Sequence, residues 1–131
     1  MHERRTLVVD ELTAPQGAYS HAALFGALVF CAGQIGRDPD HDGELVAGAA
    51  LQTRRALENV ELICRAAGTT VRHALMMTVY VVDLESNSSA INSAIATFFG
   101  ADPPARAMLG VSELPGGALV EIAAVAAIQS R

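Results

Sequence analysis

The chain has 131 residues, of which 51% are hydrophobic and 18% are charged, and its formal net charge is −5. This length suits one domain, and we expect a single domain over residues 1–131. The acidic balance and the lack of a Lys/Arg cluster argue against a nucleic-acid binder, because phosphate contacts supply most non-specific affinity. The longest apolar stretches, 22–33 and 118–128, are too short to span a bilayer, and no signal-peptide pattern opens the chain. We therefore expect a cytoplasmic protein.

Antiparallel strands are predicted at the start of the chain. Residues 6–9 read as a short strand, and residues 22–25 and 28–31 read as a hairpin with Gly26-Ala27 as its turn. The segment 37–43 then becomes polar and contains Pro and Gly, which indicates a surface connection.

A helix is predicted next. Its apolar positions at helical spacing are Ala49, Ala56, Val60, Ile63 and Ala67. The opposite face carries two i,i+4 charge pairs, Arg54 with Glu58 and Glu61 with Arg65. Gly68 is a typical helix stop.

The second half of the chain predicts a strand, a helix and two more strands. Residues 75–82 are rich in β-branched and apolar side chains, as in a central strand, and the run 86–89 offers several helix N-cap residues. The following helix has one apolar stripe, formed by Ile91, Ala94, Ile95 and Phe98. Gly100 ends it, and strands follow at 106–111 and 119–128.

The order β-β-β-α-β-α-β-β predicts an α+β domain with both helices on one face of the sheet. The final two strands are joined by the turn at 114–117. Because the other face of the sheet also carries apolar residues, it needs cover, and self-association is the economical way to supply it.

Two charges stand in stretches that otherwise look like core. Arg106 follows Pro104-Ala105, and Glu121 lies in the apolar run 119–128. Burial of an ionisable group costs several kcal/mol unless a partner, hydrogen bonds or a ligand compensates. The pair therefore indicates either a polar small-molecule site or a buried structural ion pair.

No metal site is expected. Residues 38–43 imitate the start of a calcium loop, but the twelfth position is Ala49 instead of Glu, which favours an acidic surface turn. The four histidines lack metal-ligand spacing, and Cys31 and Cys64 are expected to be buried free thiols.

A series of short motifs follows the chain in order. They are Ala14-Pro15, Gly17-Ala18-Tyr19-Ser20, Gly33-Gln34-Ile35, Gly43-Glu44-Leu45-Val46, Gln52-Thr53, Asn59, Ala67-Gly68, Thr78-Val79-Tyr80-Val81, Asn92, Phe98-Phe99, Pro104-Ala105-Arg106, Leu114-Pro115-Gly116-Gly117 and Val120-Glu121-Ile122. In this order they resemble the reactive-intermediate deaminase family, also called the RidA, YjgF or endoribonuclease L-PSP family, over residues 14–127. The resemblance implies a chorismate-mutase-like subunit of the Bacillus type and a barrel-like homotrimer with a ligand cleft at each subunit interface.

The resemblance also implies an activity: hydrolysis of reactive 2-imino or 2-enamino acids, such as 2-iminopropanoate, to 2-oxo acids and ammonia. It implies no metal and no organic cofactor. Arg106 stands where the family has its carboxylate-binding arginine, and Glu121 where the family has its water-orienting glutamate. Tyr19, Gly33 and Asn92 match positions of the substrate pocket.

The chemistry of these side chains is consistent with such a role. A guanidinium matches a planar carboxylate with two parallel charge-assisted hydrogen bonds, and a glutamate can accept a proton from attacking water. Apolar neighbours should raise the pKa of Glu121, whereas a nearby Arg106 would lower it. The sequence leaves its protonation state open.

The chain departs from the family pattern at several positions. Ala32 and Ala107 stand where hydroxyl side chains are usual, Met76 where a basic residue is frequent, and Ala18 and His21 flank Tyr19 in place of Pro and Gln. A trimer that binds a small carboxylate without catalysis is therefore an alternative. A ribonuclease, suggested by one family name, is a third hypothesis that the acidic charge disfavours.

Overall fold

A computed structural model of the chain describes residues 3–129, with a six-stranded sheet at its centre and two α-helices, an α+β arrangement. The strands are β1 (Arg5–Leu7), β2 (Ala22–Phe25), β3 (Leu28–Gln34), β4 (Arg37–Asp38), β5 (Glu44–Leu45), β6 (Ala74–Val82), β7 (Ala105–Val111) and β8 (Val120–Ala127). The helices are α1 (Ala49–Ala66) and α2 (Leu84–Phe99). In the main sheet the order is β1-β2-β3-β8-β6-β7, and β4 and β5 form a separate two-stranded ladder.

Strand β8 lies between β3 and β6, so the last strand of the chain is central in the sheet. It is antiparallel to both neighbours, whereas β6 and β7 are parallel. Although β7 and β8 follow each other in sequence, they are not paired. Strand β7 therefore becomes an edge of the sheet.

The predicted hairpin of β2 and β3 is confirmed, including its turn, in which Gly26 has a φ of 59°. Strand β3 runs three residues beyond the predicted end, to Gln34, and its pairing with β8 shifts register between Cys31 and Gln34. The predicted surface connection 37–43 contains β4 and a short 3-10 helix.

Helix α1 follows the prediction closely. Ala56, Val60 and Ile63 are fully buried, and both predicted i,i+4 ion pairs are present, Arg54 with Glu58 at 3.6 Å and Glu61 with Arg65 at 2.9 Å. Ion pairs of this kind on a helix surface contribute little stability individually. The buried stripe is what holds the helix on the sheet.

Helix α2 begins earlier than predicted. The run 86–89 was expected to cap it, but the helix starts at Leu84 with Asp83 in the left-handed conformation before it. Inside the first turn, Asn87 donates from its amide to the carbonyl of Val82 at 2.7 Å. The chain thus turns directly from β6 into the helix, and a side chain within the first turn binds the end of the strand.

One row of register partners shows that both helices cover the same face. Cys31, Ala124, Met77 and Arg106 are successive partners across β3, β8, β6 and β7. At one end of the row the sulfur of Cys31 lies 3.9 Å from that of Cys64 on α1, and at the other Arg106 bonds to α2. The predicted packing of both helices on one face is confirmed.

The second face of the sheet carries apolar side chains without helices over them. Phe30 is 42% exposed, Leu109 40% and Met76 37%. These side chains alternate along their strands with residues that face the helices. Among residues 3–129, no helix is long and apolar enough to cross a membrane.

Candidate functional site

Glu121 lies on central strand β8 and faces away from the helices. Its register partner is Tyr80, whereas its neighbours Val120 and Ile122 are fully buried on the helix side. The carboxylate lines a cleft of about 310 Å³ together with Tyr19 and Gly33. The structure therefore brings together three of the five predicted site residues.

Gly33 has a direct steric reason to be glycine. A Cβ placed on it would lie 2.6 Å from carboxylate oxygen Oε2 of Glu121 and 2.9 Å from the carboxyl carbon. Carbon and oxygen do not approach this closely without displacement. Gly33 also lies within the register shift of β3, so it is a bulge glycine as well as the floor beneath the carboxylate.

The environment of Glu121 favours its neutral form. Burial raises the pKa of the Glu121 carboxyl above its ordinary value. Glu121 takes part in none of the ion pairs formed among residues 3–129. The lowering of its pKa by Arg106, considered from the sequence, does not occur within the chain.

The loop above this cleft is held by His21. Its Nδ1 accepts from the backbone N–H of Val9 at 2.8 Å, so the ring proton is on Nε2, which donates to the carbonyl of Thr13 at 3.0 Å. The ring is 2% exposed. Tyr19 is half-exposed, and its hydroxyl accepts from the backbone N–H of Gln16. His21 thus ties down the segment that carries Tyr19.

Arg106 lies on edge strand β7, beside its register partner Met77. One nitrogen of its guanidinium, Nη1, donates to the Oδ1 of Asn92 on α2 at 2.8 Å. The two side chains line a second cleft, of about 320 Å³, with Pro104 and Ile95. Arg106 is exposed in the chain, so the expectation that it lies in a core-like strand was wrong: β7 has no neighbour on its outer side.

Arg106 and Glu121 point to opposite faces of the sheet. Their register partners on β6 are Met77 and Tyr80, which are three residues apart on a continuous strand. Side chains at odd separations along a strand lie on opposite faces. The alternative of a buried ion pair between them is therefore wrong within one chain, and the five predicted site residues divide into two separate clefts.

The family model described as Endoribonuclease L-PSP matches residues 10–128. The chain belongs to the endoribonuclease L-PSP family, which includes the RidA and YjgF proteins. A RutC family protein of Pyrococcus horikoshii is 38% identical over 124 residues, covering 94% of this chain and 97% of that protein. The rat protein named 2-iminobutanoate/2-iminopropanoate deaminase is 36% identical over 124 residues, covering 94% of this chain and 89% of its own.

Membership of the RidA family is also visible in the fold. The crystal structure of RidA from the Antarctic bacterium Psychrobacter sp. superposes with a TM-score of 0.89 at 34% identity, covering 95% of this chain and 99% of that one. The family resemblance found in the motifs is confirmed.

Several polar residues that line the Glu121 cleft were not predicted as site residues, and two of them matter most for its charge and support. These are Arg37, which was assigned to a surface connection, and Asn59, which was noted only as a motif residue. Arg37 stands two positions after Gly33-Gln34-Ile35, and this adjacency was the available signal. A cation next to a site motif could have been considered as part of the site.

Of the positions that depart from the family pattern, His21 lines the Glu121 cleft, whereas Ala32, Ala107 and Met76 line neither of the two clefts. Ala32 follows Cys31 in the register shift of β3, and Ala107 pairs with Thr78 beside Arg106.

Cys31 and Cys64 are both buried and free, as predicted. In the acidic turn, Asp38 accepts hydrogen bonds from the backbone N–H of Asp40 and from His41, and these contacts lower its pKa.

Proposed function

We propose that this chain is an imine/enamine deaminase that hydrolyses 2-imino or 2-enamino acids to 2-oxo acids and ammonia. The observation that carries the proposal is Glu121, a half-buried carboxylate over Gly33 in an open cleft beside Tyr19, which forms no ion pair within residues 3–129. The relatives named 2-iminobutanoate/2-iminopropanoate deaminase support this reaction class. A base of this kind needs a substrate held against it.

The substrate clamp comes from a second copy of the chain. Arg106 is the cation suited to a planar carboxylate, but it lies on the opposite face from Glu121 in the same chain. The apolar face around Phe30 and Met76 supports self-association, because such a face is rarely left open to solvent. We propose a homotrimer in which Arg106 of the partner subunit meets Glu121 at each interface.

The reaction then follows from these positions. The guanidinium holds the α-carboxylate of the substrate with two hydrogen bonds, and Asn92 fixes the guanidinium through its Nη1. Glu121 in its ionised form accepts a proton from water as the oxygen attacks the imine carbon. The carbinolamine receives that proton on nitrogen, which makes Glu121 a base again. As the carbon–nitrogen bond breaks, Glu121 takes the hydroxyl proton and passes it to the departing ammonia, so a protonated imine yields ammonium and the 2-oxo acid.

The first test is acceleration of imine hydrolysis. An amino-acid oxidase produces the imine of alanine in situ, and the loss of imine is followed with and without the purified protein. Rates equal to those in buffer would defeat the proposal. Binding of pyruvate without any acceleration would favour a non-catalytic carboxylate-binding protein instead.

A subunit-mixing experiment tests the divided site. Arg106→Ala and Glu121→Gln chains, each inactive alone, are unfolded together in equal amounts and refolded. Random assembly at a head-to-tail interface restores about a quarter of the sites, since each intact site needs one chain of each kind. No recovery would show that both residues act from one chain.

The cytoplasmic location stays a prediction.

A further inference from the structure

Arg37 is a cation in the Glu121 cleft that the deaminase chemistry does not use. Its side chain is half-buried and lines the same cleft as Glu121, Gly33 and Tyr19. Among residues 3–129 it takes part in none of the ion pairs. A guanidinium withdrawn from solvent without a carboxylate partner is unusual, because such groups are normally paired.

The carboxylate next to it in sequence is already engaged. Asp38 accepts from the Asp40 backbone and from His41 at 2.7 Å, and it faces Arg55 at 3.9 Å. Glu121 shares the cleft with Arg37, but the two side chains form no ion pair among those of residues 3–129. Neither neighbouring carboxylate is therefore paired with Arg37.

The backbone of Arg37 is held firmly. Its N–H donates to the carbonyl of Ile35 at 2.8 Å, and its own carbonyl accepts from the amide of Asn59 at 2.9 Å. The Oδ1 of Asn59 accepts in turn from two nitrogens of Arg55, at 2.9 and 3.0 Å. The position of Arg37 thus depends on a buried residue of α1.

The guanidinium is also oriented. Its Nη1 donates to the carbonyl of Gly43 at 3.0 Å, and its Nη2 lies so close to Gly116 that a Cβ on that residue would clash with it. Gly116 therefore leaves room for the guanidinium in the turn that follows β7. A cation fixed in this way loses little entropy when it binds an anion.

We propose that Arg37 binds a second carboxylate, at the end of the substrate's side chain. The preferred substrates are then 2-imino acids derived from dicarboxylic amino acids. This inference rests on the proposed function for the α-carboxylate, which Arg106 of the partner subunit holds, and it adds the anionic group at the far end. The two cations bind the ends of the substrate while Glu121 faces the imine carbon.

The experiment compares two 2-oxo acids with the same five-carbon chain, 2-oxoglutarate and 2-oxopentanoate, by calorimetry on the wild-type protein. We expect 2-oxoglutarate to bind about tenfold more tightly, because one charge-assisted interaction is added. Affinities within about twofold of each other would overturn the inference. This comparison needs no variant, so it cannot fail through misfolding.

Arg37→Met should bring the two affinities together, and Arg37→Lys should keep part of the difference because the charge remains. Arg54→Met removes a cation on the outer surface of α1, where the side chain is 71% exposed, and should leave the affinity ratio as in the wild type. If Arg37 were only a structural tie, Arg37→Met would weaken both acids equally. That result would also overturn the inference.

Hydrolysis of the alanine imine separates this inference from the deaminase proposal. Acceleration without a preference for 2-oxoglutarate would leave the deaminase intact and remove the role of Arg37. A tenfold preference without any acceleration of the loss of the alanine imine or of the glutamate imine would leave the anion subsite intact and remove the deaminase.

Discussion

The Glu121 cleft and the Arg106 cleft are built in opposite ways. Glu121 stands on the central strand of the sheet, with fully buried neighbours on both sides in sequence, whereas Arg106 stands on an edge strand and is exposed. The position of Glu121 is therefore fixed by the fold of one chain. Arg106 is left on an exposed edge, as the proposed site between subunits requires.

The largest effect is expected from a change to Arg106, in the exposed cleft. Arg106→Ala should lower kcat/KM for an imine by about a hundredfold, because both hydrogen bonds to the α-carboxylate are lost. Steady-state kinetics with in situ imine formation measures this. Arg54→Ala, on the outer surface of α1, is the matched control and should change little. Equal losses in both variants would indicate a general effect of charge.

Gly33→Ala tests whether Glu121 acts from its position in the interior cleft. The added methyl would lie 2.6 Å from Oε2 of Glu121, so the carboxylate must move, and we expect a loss of roughly thirtyfold in kcat. Gly17→Ala is the control, since its nearest contact would be 3.8 Å, on the ring of Tyr19. A Gly33→Ala protein with wild-type kcat would show that Glu121 does not act from this position.

Asn92→Ala should weaken substrate binding by Arg106 less than Arg106→Ala does. The hydrogen bond of 2.8 Å that orients Arg106 is lost while the cation itself remains. We expect KM to rise by about fivefold to tenfold and kcat to fall less, since the clamp is loosened and the base is intact. A change confined to kcat would contradict a positioning role.

The pH dependence of the activity reports on the protonation of Glu121. Because burial raises the pKa of Glu121, its ionised form and the activity should be lost on acidification at a higher pH than for an ordinary carboxyl. A pH profile of kcat/KM measures this. A limb at the ordinary carboxyl pKa would show that Glu121 is not the base.

The same raised pKa has a small effect on stability. A carboxyl whose pKa is higher in the folded state stabilises the fold at low pH, and this contribution is lost as the pH rises through the folded pKa. Glu121→Gln should therefore be more stable than the wild type at neutral pH and equal to it in acid. Denaturant unfolding at both pH values checks the sign.

Local patterns predicted most of the elements. The hairpin of β2 and β3 and the buried stripe of α1 follow from period-2 and period-3.6 alternation, which act over a few neighbouring residues. The predicted start of α2 was wrong because Asn87, one of the cap candidates at 86–89, lies inside the helix and donates to the carbonyl of Val82 at the end of β6. Local capping signals do not show which of them the tertiary structure uses.

The sequence by itself determined the family, the α+β class and the identity of the five candidate residues, because ordered motifs and apolar periodicity are local properties. Only the tertiary structure decided how those residues are grouped. Strand β8 inserts between β3 and β6, which places Glu121 at the centre and leaves β7 at the edge with Arg106 on the other face. Strand order and sheet face arise from non-local pairing, which no short segment of the chain encodes.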